Sequence, residues 1–254
     1  MMVHALAGKN LVITGAGTGI GAAVARLAVE AGAHAVLVGR RADALRSCVE
    51  QVDRAHRANL VVCPADIGDE DSTAELVDTA LAELGHVDGL VNNAGIARFA
   101  SLENADLADL ALMFRVHVSG PAQLIRGLLP SLRQQRGSVV NVTSVGGSLA
   151  TPNRSFYGAT KAAINHLTRS LAIELAPEVR VNAILPGPVD TPIYDDLGMD
   201  QAGTDALRNQ LISATPLGRF GTPDEVAAWV CQLLSPAGAW ITGTLLPIDG
   251  GRCA

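Results

Sequence analysis

The feature of the sequence that most restricts the fold is the alternation of short apolar runs with helical segments along the chain. Most of these runs, rich in Val, Ile and Leu, are continuously apolar rather than alternating. Such runs are typical of strands covered on both faces, as in a parallel sheet. We predict strands at Leu11–Thr14, His34–Val38, Leu60–Pro64, Gly89–Asn92, Ser138–Val142, Arg180–Leu185 and Thr244–Ile248.

The segments between the runs have a helical period. Ile20–Ala31 carries one apolar stripe, 106–135 is a long segment with a bend expected near Gly120, and 155–176 is stopped by Pro177. Strands that alternate with helices imply right-handed crossovers and a doubly wound α/β sheet. No linker, charge run or repeat divides residues 1–254, so we predict a single domain.

Composition excludes several classes of protein. Hydrophobic residues make up 48% of the chain and charged residues 17%, which excludes a disordered chain. A net charge of −6 speaks against nucleic-acid or anionic-membrane partners, and no apolar run reaches the roughly 18 residues that span a bilayer. Four scattered cysteines predict neither a disulfide frame nor a metal site. Since the first residues also lack a signal-peptide pattern, we expect a cytoplasmic protein.

A glycine-rich turn joins the first predicted strand to the first helix. Gly15, Gly17, Gly19 and Gly21 lie within seven residues. Glycines at this point let backbone N–H groups approach a pyrophosphate at the positive end of a helix dipole. A plain tight turn would give the same letters, but the flanking strand and helix favour nucleotide binding.

The second predicted strand is followed by Gly39, Arg40 and Arg41. An NAD site of this type usually has Asp or Glu here, which binds the ribose 2′-hydroxyl. A guanidinium instead pairs with a 2′-phosphate, so we predict NADP(H), with NAD(H) as the alternative. The arginines would otherwise simply begin a solvated helix.

Further motifs follow in register along the whole chain. With the glycine-rich turn, they resemble the short-chain dehydrogenase/reductase family. These motifs are Asn92-Asn93-Ala94-Gly95, Ser144, Tyr157-Gly158-Ala159-Thr160-Lys161, Pro186-Gly187 and Asp249-Gly250-Gly251. The resemblance implies a single Rossmann-type domain with seven strands in the order 3-2-1-4-5-6-7. The cofactor would cross the switch point between the first and fourth strands.

The resemblance also implies which residues bind the cofactor. Asp66 and Ile67 would flank the adenine, residues 93–95 would form a wall of the cleft, and residues 186–191 would lie beside the nicotinamide amide. The full implied set is Gly15, Gly17, Thr18, Gly19, Ile20, Arg40, Arg41, Asp66, Ile67, Asn93, Ala94, Gly95, Tyr157, Lys161, Pro186, Gly187, Val189 and Thr191.

Tyr157 and Lys161 are four residues apart in a helical segment and therefore share one face. A phenol has a pKa near 10, so an acid/base role at neutral pH requires that pKa to fall by about 3 units, which takes about 4 kcal/mol. One cation about 4 Å away supplies energy of that order. By resemblance, Tyr157 is the general acid/base, and Lys161 lowers its pKa and holds the ribose hydroxyls. Ser144 donates a hydrogen bond to the substrate oxygen.

One position departs from the family. Where many members have an Asn that helps to hold a water beside the lysine, this chain has His117. Its backbone carbonyl would preserve that link, or its imidazole would feed protons directly, since the free pKa lies near 6.5. The third interpretation is a packed, hydrogen-bonded histidine.

Together these observations predict an NADP(H)-dependent oxidoreductase acting on a small-molecule ketone or secondary alcohol. A 3-ketoacyl-(carrier-protein) substrate is one option, and small ketones, sugars, polyols and steroids are the others. The alternative function is a cofactor-binding regulator or scaffold with little catalysis. Substrate contacts are expected from residues 146–153 and from Asp190–Ala214, which is either a lid or an ordinary pair of surface helices. By resemblance, a homotetramer or homodimer is expected.

Overall fold

All seven predicted strands form one sheet in the computed structural model, which describes residues 5–195, 197 and 200–254. The strand order is β3-β2-β1-β4-β5-β6-β7, as the family resemblance implies, and every neighbouring pair is parallel. The strands are β1 Asn10–Thr14, β2 His34–Gly39, β3 Leu60–Pro64, β4 Gly89–Asn92, β5 Ser138–Val142, β6 Arg180–Pro186 and β7 Leu245–Ile248. No predicted strand boundary is wrong by more than one residue.

Eight α-helices lie in the described residues. They are α1 Gly19–Glu30, α2 Ala42–Gln51, α3 Glu70–Leu84, α4 Leu107–Phe114, α5 Gly120–Gln134, α6 Ser155–Glu174, α7 Gln201–Ser213 and α8 Pro223–Leu234. None of the described helices is both long and apolar enough to reach across a membrane.

The long helix predicted at 106–135 is interrupted. A π-helical turn at Arg115–Ser119 separates α4 from α5. Pro121 has no N–H to donate to the carbonyl of His117, so the regular α-helical pattern cannot continue through this point. The irregular turn therefore lies just before the position predicted for the bend, and it contains His117, which is only 3% exposed.

Each face of the sheet packs against its own layer of helices. Leu11 and Ile13 of β1 are buried against α1 and α8. Val12, which points to the opposite face, is buried with residues of α3, α5 and α6. This burial on both sides explains the continuously apolar strands and leaves the carboxyl ends of the strands open to form a site.

Candidate active site

One cavity of about 460 Å³ lies at the carboxyl ends of the strands. It is lined by every residue that the sequence analysis assigned to the cofactor or to catalysis, with the single exception of His117. The residues come from segments as far apart in the chain as the β1–α1 turn and the end of β6. The site therefore depends on the parallel topology, which gathers these ends at one edge of the sheet.

The glycine-rich turn has the geometry of an anion site. Gly15 and Gly19 have φ values of +65° and +56°, in the region that favours glycine. A Cβ at Gly21 would collide with the carbonyl oxygen of Gly15. Within the described chain, no side chain caps the first turn of α1, so its N–H groups are available to a phosphate group.

Hydrogen bonds hold the ends of β1 and β4 together beneath this turn. The Thr14 hydroxyl accepts from the backbone N–H groups of Asn93 and Ala94 at 2.9 and 3.1 Å. The Asn93 side-chain amide donates to the carbonyls of Thr14 and Gly15 at 3.0 and 3.2 Å. These bonds fix the width of the cleft at the switch point.

The far end of the cavity carries the residues predicted for the adenosine half of the cofactor. Gly39, Arg40, Arg41, Asp66 and Ile67 all line it. Both arginine side chains are exposed, and no described carboxylate forms an ion pair with either of them. Two available guanidinium groups and no carboxylate at position 39 fit a phosphate on the ribose.

Three of the four residues predicted for catalysis lie at the other end of the cavity, and the fourth, His117, does not line it. Ser144 follows β5, and Tyr157 and Lys161 lie on α6. Lys161 Nζ is 5.7 Å from the centroid of the Tyr157 ring. The ring packs edge-on against Phe99, with centroids 5.5 Å apart, and a Cβ added at Gly146 would lie 3.2 Å from it. These contacts fix the phenol facing the cavity.

The pKa values of this group differ in part from the sequence-based expectation. Burial raises the pKa of Tyr157, whereas the hydrogen bond with Ser144 and the charge of Arg154 lower it. The net direction is therefore opposite to the predicted one, because burial disfavours the phenolate. Burial also lowers the pKa of Lys161 to about 8. At neutral pH the phenol is thus protonated and the lysine mostly charged.

The Lys161 side chain is suited to hold a polar ligand. It is only 5% exposed, and its Nζ makes no hydrogen bond to any described residue. A buried ammonium without a partner is costly. The ribose hydroxyls of a dinucleotide would satisfy it, so the residues present fit such a cofactor.

His117 lies behind the cavity wall. The Ile96 N–H donates to its Nε2 at 3.1 Å, and its Nδ1 is 2.9 Å from the Thr160 hydroxyl. That hydroxyl donates to the carbonyl of Tyr157 at 2.8 Å. Burial and the charge of Lys161 hold the pKa of His117 well below its usual value. The ring is therefore a neutral link between the loop after β4 and helix α6.

Several cavity residues were missed by the sequence analysis. Arg154 and Arg252 line the cavity, as do Arg98 and Phe99. Tyr194 lies in the expected lid segment but was not singled out. The only available signal was the position of Arg154, three residues before Tyr157; nothing in the local pattern marks Arg252 near the carboxyl end.

The expected substrate segments do reach the cavity. Gly146, Leu149 and Thr151 contribute from the first segment, and Tyr194 and Leu211 are among the contributors from the second. Residues 196, 198 and 199 of the predicted lid lie outside the described residues. In the described chain, His, Cys, Asp and Glu side chains form no group of three that could hold a metal ion.

The chain is similar to known oxidoreductases over nearly its whole length. Residues 15–252 match a family model described as enoyl-(acyl carrier protein) reductase. The chain is 40% identical to cis-4-hydroxycyclohexanecarboxylate dehydrogenase of Sinomonas cyclohexanicum, with all of both chains covered. It is 34% identical to a 3-oxoacyl-[acyl-carrier-protein] reductase of Thermotoga maritima, covering 97% of this chain and 98% of that one.

A solved structure is also similar over nearly the whole chain. The 3-ketoacyl-(acyl-carrier-protein) reductase of Brucella melitensis, complexed with NADH, has a TM-score of 0.89 and 32% sequence identity. The match covers 98% of this chain and 100% of that chain.

Proposed function

Because the chain belongs to the short-chain dehydrogenase/reductase family, we propose that it is an NADP(H)-dependent oxidoreductase that interconverts a ketone and a secondary alcohol. The observation that carries the proposal is the meeting of Ser144, Tyr157 and Lys161 in the cavity that begins at the glycine-rich turn. Names of relatives that specify a hydroxyl or an oxo group support the reaction type.

The chain's own residues determine how a dinucleotide would be held. The first turn of α1 would bind the pyrophosphate, Lys161 the nicotinamide ribose, and Arg40 and Arg41 the 2′-phosphate. When bound, the nicotinamide would supply or accept the hydride. The Brucella neighbour was solved with NADH. That neighbour does not indicate NADP(H), so the proposed preference rests only on Gly39, Arg40 and Arg41 of this chain.

Tyr157 would act as the proton donor to the carbonyl oxygen. Its pKa is raised by burial, so at neutral pH it carries the proton that ketone reduction requires. Ser144 interacts with the same phenol and would donate a hydrogen bond to the substrate oxygen as negative charge develops there. At neutral pH Tyr157 is therefore in the protonation state that the reductive step needs.

Lys161 would stabilise the phenolate that remains after proton transfer. Since its pKa is about 8, the ammonium form prevails at pH 7 by about tenfold. Its charge lies 5.7 Å from the Tyr157 ring centroid. We expect the rate of reduction to fall as the pH rises through about 8, because the stabilising charge is then lost.

The function is tested by following NADPH absorbance with a panel of ketones. We expect oxidation of NADPH with at least one ketone, because the donor, the cation and the cofactor site share one cavity. The matched control is the same panel with the variant Ser144→Ala, which lacks the hydroxyl beside Tyr157. Tight NADPH binding without turnover of any ketone would contradict the proposal and favour a scaffold.

We propose that His117 positions α6 and does not exchange protons during turnover. Its ring is neutral, and both ring nitrogens are engaged with Ile96 and Thr160. The variant His117→Asn is therefore expected to keep the shape of the pH–rate profile between about pH 5.5 and 8, with a lower melting temperature. Loss of an ionisation from the profile would show that the imidazole is a proton relay.

The segment 190–214 is proposed as the substrate lid. Its support is that described residues from both ends of the segment, Ile193, Tyr194 and Leu211, line the cavity. Limited proteolysis tests this role. Protection of the segment by cofactor and substrate is expected, and identical cleavage with and without them would contradict it.

A homotetramer or homodimer is proposed as well. Its support is the exposure of large apolar side chains on α4, on α6 and before β7. Leu107 is 71% exposed, Ile173 is 83% exposed and Trp240 is fully exposed. Exposed apolar patches mark protein–protein interfaces, so these side chains are the proposed contact residues. Light scattering that gave a monomer would contradict it.

A further inference from the structure

Three arginines that the proposed mechanism does not use line the cavity. Arg98 forms an ion pair with Asp109 at 3.9 Å, and the other two are Arg154 and Arg252. Arg154 immediately precedes α6, three residues before Tyr157. Its guanidinium carbon lies 4.5 Å from the centroid of the Phe99 ring. The edge of that ring packs against Tyr157. Arg154 is therefore held one aromatic ring away from the proposed proton donor.

The Arg154 side chain has no anionic partner in the described part of the chain. It forms none of the ion pairs found there, whereas Arg26, Arg208 and Arg219 each pair with a carboxylate within 3.2 Å. Arg154 is half-buried. A partly desolvated guanidinium without a counter-charge is costly, and a bound anion would relieve that cost.

Arg252 adds a second positive charge in the same region. Its guanidinium donates to the carbonyl of Ala214 at 3.2 Å, and no described carboxylate pairs with it. The pKa of Arg154 is lowered by burial and also by electrostatic repulsion from the charge of Arg252. Asp66 is the only carboxylate among the described lining residues, and it lies in the adenosine half of the cavity.

Tyr194 places a neutral hydroxyl beside these cations. Burial raises its pKa to about 12, and the charges of Arg154 and Arg252 act in the opposite direction. Its ring is fixed against Phe220, with ring centroids 5.3 Å apart. A protonated phenol can donate a hydrogen bond to an oxyanion that the two arginines attract.

We propose that Arg154, Arg252 and Tyr194 bind a carboxylate on the substrate, so that the enzyme acts on oxo acids and the corresponding hydroxy acids. The carboxylate would lie at the arginines while the reacting carbon lies at Ser144 and Tyr157. The net charge of the chain is −6, whereas the proposed substrate site carries the two positive charges of Arg154 and Arg252. This inference rests on the proposed ketone reductase activity and specifies its substrate class.

The first test compares charged and neutral ketones of the same shape. The probes are 4-oxopentanoate, 5-oxohexanoate and 6-oxoheptanoate, each with its primary amide and NADPH. For at least one pair we expect kcat/KM of the acid to exceed that of the amide by about tenfold or more. The variant Arg154→Gln should remove this preference, read as the acid-to-amide ratio of kcat/KM, because any effect of Arg154 on the pKa of Tyr157 changes both values together. Arg154→Lys should restore part of the preference.

The matched control is Arg133→Gln. Arg133 is an exposed arginine near the end of α5 that does not line the cavity. The variant Arg133→Gln removes the same formal charge as Arg154→Gln, but at a place outside the cavity. It should therefore leave the acid-to-amide ratio of kcat/KM unchanged. An equal loss of preference in both variants would assign the effect to the overall charge of the protein and overturn the proposal.

A binding measurement tests the carboxylate site separately from the ketone reductase activity. Calorimetry with the enzyme saturated with NADP⁺ should show benzoate binding about tenfold more tightly than benzamide, with the difference lost in Arg154→Gln. Equal turnover and equal binding of charged and neutral probes would overturn the carboxylate site and leave ketone reduction intact. Turnover of no ketone, neither these probes nor the wider panel, together with selective benzoate binding would overturn the proposed activity and support the anion site.

Discussion

Replacing Tyr157 with Phe is expected to reduce kcat for ketone reduction by about a thousandfold or more. The phenol is the proposed proton donor, and general acid catalysis contributes about 10²- to 10⁴-fold. Neither Ser144 nor charged Lys161 offers an equivalent donor at the same place, because the first donates only a hydrogen bond and the second is needed to stabilise the phenolate.

The variant Tyr157→Phe is a sharp test because it removes one oxygen and keeps the ring. The edge-on contacts with Phe99 and His117, at 5.5 and 5.8 Å between centroids, involve only that ring. NADPH affinity, measured by fluorescence, and the melting temperature are therefore expected to stay close to those of the unmodified protein. Turnover within about tenfold of normal would remove Tyr157 from the mechanism.

The second large effect is expected at the cofactor ribose. The double variant Arg40→Ala, Arg41→Ala should reduce kcat/KM for NADPH by about a hundredfold and change that for NADH by only a few-fold. Each arginine lines the cavity without an ion-pair partner among the described residues. A hydrogen bond to a charged group contributes about 1.5–3 kcal/mol, or roughly tenfold or more for each residue.

The matched control for this double variant is Arg46→Ala. Arg46 is exposed on α2, close in sequence to the pair, and does not line the cavity. It should leave the ratio of the two kcat/KM values unchanged. Comparable kcat/KM values for NADPH and NADH in the unmodified protein would contradict the proposed preference.

The strands could be predicted from the sequence because their signal is local. A continuous run such as residues 138–142 has to be covered on both faces wherever it lies in the chain, and parallel strands have this property. The strand order was available from the family resemblance. The residues predicted for the cofactor came from the same resemblance. They line the cavity, and their binding of a cofactor stays a prediction.

The remaining features depend on contacts between distant parts of the chain. The π-helical turn brings His117 to Ile96 and Thr160, and neither partner is indicated by the sequence around position 117. The direction of the Tyr157 pKa depends on how deeply the fold buries the phenol. Similarly, Arg154 and Arg252 both line the cavity although they are separated by almost a hundred residues.

The most direct test of the account is a crystal structure of the complex with NADP⁺. We predict the pyrophosphate at the first turn of α1 and the 2′-phosphate within hydrogen-bond distance of Arg40 or Arg41. The ribose hydroxyls should contact Lys161, with the nicotinamide ring beside Tyr157. A nicotinamide bound away from Tyr157, or a Ser144 side chain that does not face the same space, would contradict the central claim.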